Sequence, residues 1–205
     1  MLHAPSYRSA GPTARAGKAS TLLAPPRVGA RLHERMFDSC VLGVDPGVAR
    51  LGLAAVARDG RRPVLVWADT VTTRSETPES ERLRALADAV RAAIAQHHPT
   101  SVAVERVAFN RNQVSALTVA RATGAVMVVA AEAGVAVEEY SPTEIKNAVT
   151  GVGNADKRQV RAALERVHGF RDLPAKPDAV DAAAVALTHL VGARLRAAAR
   201  AGAVR

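Results

Sequence analysis

The chain has 205 residues, of which 48% are apolar and only 3% aromatic, so a domain of ordinary size must build its core from Ala, Val and Leu. It contains no run of eighteen uncharged apolar residues, no continuous apolar stretch near the start and only one cysteine. These features argue against a membrane-spanning helix and a secretory signal, exclude an internal disulfide, and predict a cytoplasmic protein.

The net charge of +9 and the pI near 10.9 are typical of nucleic-acid-binding proteins, but the excess charge lies mostly at the two ends. Residues 1–38 carry a net charge of +4, and residues 192–205 carry another +4. The intervening residues 39–191 are nearly neutral, at +1. Net charge alone therefore does not identify a nucleic-acid partner.

The first 38 residues contain scattered Pro, Gly and Ser with no hydrophobic period, which predicts a disordered basic leader. Met36 stands just before the first predicted strand, so a mis-annotated start is the alternative, and the sequence leaves both open. We expect a folded domain over residues 39–192, and a basic tail over 193–205 that continues the last helix.

Three apolar runs joined by short turns predict an antiparallel meander of strands at Cys40–Asp45, 51–58 and 63–71, with Gly60 in the second turn. Helical and strand patterns then alternate: helix Glu79–His97 with Thr77 or Ser75 as its cap, strand Ser101–Glu105, helix 112–133, strand 135–138, and helices 142–149, 155–168 and 178–200. This order predicts an α/β fold with a mixed five-stranded sheet and helices on both faces.

Four acidic residues occupy positions where the pattern predicts burial. Asp45 ends an apolar strand and precedes Pro46-Gly47, and Glu105 ends the apolar strand of residues 101–105. Asp178 and Asp181 lie one helical turn apart in an Ala/Val-rich helix. Ionised carboxylates are rarely buried unless they are paired or bound to metal, so these four residues are candidate ligands of hard cations.

Local explanations account for only some of the four. Asp45 could cap its own turn, and Asp178 could stabilise a helix N-terminus beside Pro177. Neither explanation reaches Asp181, one turn inside the helix, or Glu105, whose neighbour Arg106 should point to the opposite face of the strand.

The histidines do not suggest a competing metal site, because no Cys or His cluster has zinc spacing. We interpret His97 and His98 as a solvated pair at a helix end, and His189 as a packed or interfacial residue in preference to a general acid or base.

Five stretches together resemble the RuvC family of Holliday junction resolvases, within the ribonuclease H-like superfamily. They occur in the family's order and spacing over roughly residues 40–192. The stretches are Leu42-Gly43-Val44-Asp45-Pro46-Gly47, Ala103-Val104-Glu105-Arg106-Val107, Lys146-Asn147-Ala148-Val149-Thr150-Gly151, Ala155-Asp156-Lys157-Arg158-Gln159-Val160 and Asp178-Ala179-Val180-Asp181-Ala182.

The resemblance implies a ribonuclease H-like fold and a site in which Asp45, Glu105, Asp178 and Asp181 hold two Mg²⁺ ions, with Mn²⁺ as a substitute. It implies hydrolysis of phosphodiesters in four-way junction DNA by a twofold homodimer, in recombination and repair, and a possible association with the RuvA–RuvB branch-migration complex. The long helix 112–133 offers a dimer surface, because Ala116, Ala120 and Gly124 recur at four-residue spacing; packing on the chain's own sheet is the alternative.

The same resemblance implies DNA contacts by Lys146 and Lys157, with Arg158, Phe109 and Arg111 as nearby additions. Each of these cations has an ordinary alternative as an exposed helix charge, which we favour for Arg158. The family usually places an aromatic residue three positions after the catalytic glutamate; here that position is Ala108, and the aromatic is Phe109.

Other functions share parts of this pattern. Actin-like kinases also begin with a strand that ends in Asp-x-Gly, but they need a second domain and a second Gly-rich phosphate loop. A non-catalytic nucleic-acid-binding member of the fold would be expected to lose one or more acids. A RuvC-like nuclease that processes structured RNA is the nearest alternative to a junction endonuclease.

Overall fold

The structure, a computed structural model, describes residues 39–60, 62–106 and 113–202, without the side chains of residues 113–115 and 193–202. Its strands are β1 (Cys40–Asp45), β2 (Arg50–Asp59), β3 (Arg62–Thr72), β4 (Ser101–Glu105) and β5 (Ala136–Tyr140). Its helices are α1 (Glu79–His97), α2 (Gln113–Glu132), α3 (Pro142–Thr150), α4 (Lys157–Arg166) and α5 (Pro177–Gly202).

The strands form one mixed sheet in the order β3-β2-β1-β4-β5. The pairs β1–β2 and β2–β3 are antiparallel because short turns join them, whereas β1–β4 and β4–β5 are parallel because helices carry the chain back across the sheet. The predicted ribonuclease H-like arrangement, an antiparallel meander followed by parallel strands, is confirmed.

Helices cover both faces of this sheet, as the near-continuous apolar strands require. On one face, α5 packs on β1 and β2 through residues such as Val41, Ala54 and Leu187, with α3 and α4 beside it. On the other face, α1 and α2 pack against Leu42 and Val102. The sheet is therefore the central layer, and side chains at strand ends project from its edge.

The approach of α5 to the sheet is very close at two glycines. A Cβ atom on Gly43 would overlap the carbonyl oxygen of Ala182, and one on Gly52 would overlap the carbonyl oxygen of Asp178. Because Gly52 pairs with Asp45 across β1 and β2, this contact holds the first turn of α5 directly beside the end of β1.

Some helices and strands begin or end at other residues than predicted, because local hydrogen bonds determine where they start. α1 begins after Pro78, which makes no side-chain cap bond, so the predicted caps Thr77 and Ser75 are wrong. α4 begins at Lys157 instead of residue 155, because Asp156 and Gln159 form a capping box. Strand β5 begins one residue later and extends two residues further than predicted, to Tyr140.

The two histidine interpretations have different outcomes. His97 is buried, with its ring stacked on Trp67 at a centroid distance of 4.9 Å, so the predicted solvated pair is wrong. His98 ends α1 in the left-handed conformation, with φ of 44°. His189 is packed as predicted: its Nε2 lies 3.0 Å from Ser101 Oγ and its Nδ1 lies 2.9 Å from the Tyr140 hydroxyl.

We expect Gly52→Ala to lower the free energy of unfolding by about 1–3 kcal/mol, because the added methyl group must push α5 off the sheet. Urea denaturation in EDTA, followed by circular dichroism, measures this change as a lower midpoint. An unchanged midpoint would show that the contact between α5 and β2 is not tight.

Candidate active site

Three of the four predicted carboxylates meet in one pocket. Asp45 and Glu105 come at the carboxyl ends of the neighbouring parallel strands β1 and β4, where Val44 pairs with Val104. Helix α5 adds Asp181 from above the sheet. The pocket has a volume of about 340 Å³, and its lining consists of Asp45, Glu105, Asp181, Lys146, Lys157, Pro142, Ile145, Val160 and Ala184.

Asp178 lies at the edge of this site instead of in the pocket lining. Its side chain is 18% exposed, and its Oδ2 lies 3.5 Å from Nε of Arg50, which begins β2. A separation of three residues turns the two α5 carboxylates about 60° apart around the helix. Asp178 therefore faces β2 while Asp181 faces the pocket, but Asp178 remains close enough to raise the pKa of Asp45.

The pKa values of Asp45 and Glu105 are raised in this site. The pKa of Asp45 is raised to about 7, first by burial and then by the charges of Glu105, Asp181 and Asp178, with Lys157 opposing. Burial and Asp181 also raise the pKa of Glu105, against the charges of Lys157 and Lys146. Near pH 7 and without a bound cation, Asp45 is therefore protonated in about half of the molecules.

Lys157 is built into the site by the start of α4. The Asp156–Gln159 capping box fixes the helix start, so Lys157 takes the first helical position, where a cation is disfavoured by the helix dipole. Its ammonium donates to Oδ2 of Asp181 at 2.6 Å, and that hydrogen bond is the main cause of its raised pKa. The hydrogen bond to Asp181 therefore offsets the cost of a lysine at the N-terminus of α4.

The other predicted DNA contacts differ in how the structure places them. Lys146 lines the pocket from α3, whose start is fixed by a capping box between Ser141 and Glu144. Arg158 is exposed on α4 and does not line the pocket. Phe109 and Arg111 lie outside the described residues.

The donor chemistry of the site fits a hard divalent cation such as Mg²⁺. As the side chains stand, no three His, Cys, Asp or Glu residues in the described part of the chain form a closed metal cluster, and Asp181 is bonded to Lys157 instead. The converging groups are nevertheless carboxylates, the hard oxygen donors that Mg²⁺ prefers. Burial, and then the charges of the neighbouring carboxylates, raise the pKa of Asp45, and a divalent cation would relieve the repulsion among these charges.

Two features of the site were missed from the sequence. Arg50 is an exposed residue at the start of a strand, and no pattern marks it as a partner of Asp178. The hydrogen bonds of His189 to Ser101 and Tyr140 join α5 to β4 and β5. A buried histidine could be predicted, but its partners depend on how α5 crosses the sheet.

Comparison with known families gives a match over most of the chain. The family model described as "Crossover junction endodeoxyribonuclease RuvC" matches residues 41–189. The protein of that name from Leifsonia xyli is 39% identical over 165 residues, covering 80% of this chain and 79% of the relative. The one from Chloroflexus aggregans is 42% identical over 148 residues, covering 72% of this chain and 90% of the relative.

A solved structure agrees with these relatives. The structure of "T. thermophilus RuvC in complex with Holliday junction substrate" is 37% identical, has a TM-score of 0.72, and covers 77% of this chain and 96% of its own. The yeast mitochondrial Holliday junction resolvase Ydc2, at 14% identity and a TM-score of 0.56, shares the fold. Within the described residues, none of the helices has the length and apolar character needed to cross a membrane.

We expect Asp45→Asn to stabilise the metal-free protein more at pH 8 than at pH 5. The folded-state pKa of about 7 lies above the ordinary value of 3.8, so the folded state binds more protons than the unfolded state between these pH values. Stability therefore falls as pH rises from 5 to 8, by about 3 kcal/mol from this group, and asparagine removes that loss.

Urea unfolding in EDTA at both pH values measures the difference. Asp88→Asn, which changes an exposed carboxylate on α1, is the matched control and should show no such pH dependence. Equal stabilisation by Asp45→Asn at pH 5 and pH 8 would contradict the raised pKa.

Proposed function

The chain belongs to the RuvC family of crossover junction endodeoxyribonucleases, and we propose from this that it is a structure-specific endonuclease that resolves four-way (Holliday) DNA junctions in recombination and repair. The observation that carries the proposal is the single pocket in which carboxylates from β1, β4 and α5 meet two lysines. The similar Thermus thermophilus protein was solved with a Holliday junction substrate, which supports the same substrate here.

In the proposed reaction, water attacks phosphorus and the bond from phosphorus to the 3′ oxygen breaks, so that a 5′ phosphate and a 3′ hydroxyl are formed. Two Mg²⁺ ions, or Mn²⁺ in their place, would lower the pKa of the attacking water and neutralise the leaving oxygen. Asp45, Glu105 and Asp181 would hold these ions from the pocket, and Asp178 would do so from its edge.

The lysines of the pocket have a separate role in the proposal. Lys146 and Lys157 would bind phosphate oxygens and so position the DNA strand over the carboxylates. Binding of a cation by Asp181 would free the Lys157 ammonium, which is now bonded to that carboxylate, for a phosphate. Arg158, Phe109 and Arg111 are proposed as outer contacts to the junction.

Resolution of a junction needs two cuts, and we propose a twofold homodimer that uses the exposed face of α2. Leu117, Gly124 and Val128 are exposed and recur along one stripe of this helix, which also carries Arg121, paired with Glu79 of α1. Ala116 is buried in the chain's own core, so it does not belong to the dimer stripe predicted from the small residues. Twofold symmetry would place two active sites on symmetrical strands of the junction.

The proposed domain division assigns catalysis to residues 39–192. Residues 1–38 and 193–205 would be basic additions to this nuclease domain, and helix α5 itself extends to Gly202. Association with a RuvA–RuvB branch-migration complex is a further part of the proposal, made on family membership alone.

RNA processing and non-catalytic binding are the competing functions. The presence of all four acids together with Lys146 and Lys157 favours catalysis over a binding-only role. A direct comparison of substrates separates junction cleavage from RNA cleavage.

We expect the wild-type protein with Mg²⁺ to make paired, symmetrical nicks in a synthetic four-way junction and to leave linear duplex and structured RNA uncut. Asp45→Asn should lower the cleavage rate at least about 1,000-fold, since the loss of a metal ligand costs several kcal/mol of transition-state stabilisation. Junction binding by this variant should persist in a mobility-shift assay. Asp88→Asn should cleave like the wild type, whereas full activity of Asp45→Asn would refute the metal assignment.

We expect Val128→Arg to convert the dimer into a folded monomer, because it removes an exposed apolar side chain from this face of α2 and adds a second cation beside Arg121. Light scattering after size exclusion measures the mass, and circular dichroism checks the fold. Val167→Arg is the matched control, since Val167 is 74% exposed beyond the end of α4. A dimeric Val128→Arg protein would exclude this face of α2 as the interface.

A further inference from the structure

Each of the two carboxylates of α5 is paired with a cation from a different element. Asp181 accepts from Lys157 of α4 at 2.6 Å, and Asp178 lies 3.5 Å from Arg50 of β2. The two cationic side chains are exposed, at 74% for Lys157 and 66% for Arg50, while the carboxylates are mostly buried. The pairs therefore lie at the solvent boundary of the site.

The pairs flank Asp45 on opposite sides. Asp45 ends β1, which lies between β2 and β4 in the sheet. Arg50 is on the β2 side, whereas Lys157 shares the pocket with Glu105 at the end of β4. A DNA strand whose phosphate lies over Asp45 would thus meet a cation on each side.

The backbone around Arg50 is well fixed although its side chain is exposed. The Thr73 amide donates to the Ala49 carbonyl at 3.0 Å, and Arg50 pairs with Thr72 at the open end of β2 and β3. A Cβ atom on Gly47 would press on the Arg50 carbonyl, so the turn between β1 and β2 is compact. Arg50 therefore projects from a rigid base beside the carboxylates.

Lys176 extends the positive charge at this corner. Its ammonium lies 3.4 Å from the Thr70 carbonyl and 4.0 Å from Oδ1 of Asp69, and its side chain is 60% exposed. Thr70 pairs with Gly52, two residues along β2 from Arg50, which is about 7 Å at the usual rise of a strand. Both cations thus border the start of α5, with Asp69 and Asp178 as the acids facing them.

The ion pair with Asp178 does not explain why Arg50 lies beside the carboxylates. A contact of 3.5 Å to a guanidinium that is two-thirds exposed contributes little to stability. If Asp178 binds a divalent cation, its negative charge no longer balances that of Arg50. Another anion is then required beside the guanidinium. A phosphate suits this need, because the planar guanidinium can donate two parallel hydrogen bonds to its oxygens.

We propose that Arg50, with Lys176 beside it, forms a second phosphate-binding wall of the active site, which holds a backbone phosphate of the DNA strand on the side of Asp45 opposite to Lys157. This inference rests on the proposed function, since it names a contact that the same substrate makes at the same site. It assigns to the turn between β1 and β2 a role in positioning the substrate.

The test is the salt dependence of junction binding, measured with Mg²⁺ in the full-length Asp45→Asn protein so that the substrate stays intact. Replacement of one phosphate-binding cation should reduce the slope of log K against log salt by about 0.9. We expect this change for Arg50→Gln, a similar one for Lys176→Gln, and recovery of the slope in Arg50→Lys. Arg91→Gln removes an ion-paired arginine of α1, on the opposite face of the sheet, and should leave the slope unchanged.

The outcomes separate this inference from the proposed function. If the wild type cuts junctions and Lys157→Gln lowers the slope while Arg50→Gln does not, the second wall is refuted and the nuclease assignment stands. If the wild type neither binds nor cuts four-way junctions, the proposed function itself fails. Melting curves for each variant identify loss of folding, and an Arg50→Lys slope as low as that of Arg50→Gln would also overturn the proposal.

Discussion

The site depends on the contact between the backbone of α5 and the glycines of β1 and β2. Gly43 and Gly52 allow the carbonyl oxygens of Ala182 and Asp178 to lie where a side chain would otherwise be. A larger residue at either position would move the helix, and with it Asp178 and Asp181, away from the ends of the strands. The two glycines therefore set the distance between the acids of the helix and those of the sheet.

Such close packing has an electrostatic cost. Burial in the pocket, and then the charges of the neighbouring carboxylates, raise the pKa of Asp45 to about 7. The protein offsets this repulsion with a proton near neutral pH and with Lys157, which starts α4 where the helix dipole disfavours a cation. A cation bound at these carboxylates would remove part of the repulsion among them that folding creates.

The sequence predicted the parts of this arrangement that depend on local pattern. Apolar runs located the strands, and the acids at the ends of β1 and β4 had to meet because those strands are parallel neighbours. The sequence did not predict contacts that depend on tertiary geometry. The sequence predicts His97 as a solvated residue at a helix end, but Trp67 covers its ring. Arg50 has the pattern of an ordinary surface residue, and its contact with Asp178 depends on the position of α5. Spacing placed Asp178 and Asp181 on one helix, but only the crossing of α5 over the sheet decides which of them enters the pocket.

The ion pairs of Asp181 and Asp178 also link the binding of metal to the binding of DNA, the two ligands that the proposed function requires. In the free chain the carboxylates of α5 are the partners of Lys157 and Arg50, so neither the acids nor the cations are fully available. A divalent ion that takes the carboxylates releases the cations, and a phosphate that takes the cations releases the carboxylates. If the site binds both ligands in this way, each would remove a competitor of the other, and because coupling between two binding equilibria is reciprocal, metal and DNA would raise each other's affinity. On this view the ion pairs contribute little to the stability of the fold, and their main consequence is that the site favours joint binding of metal and DNA.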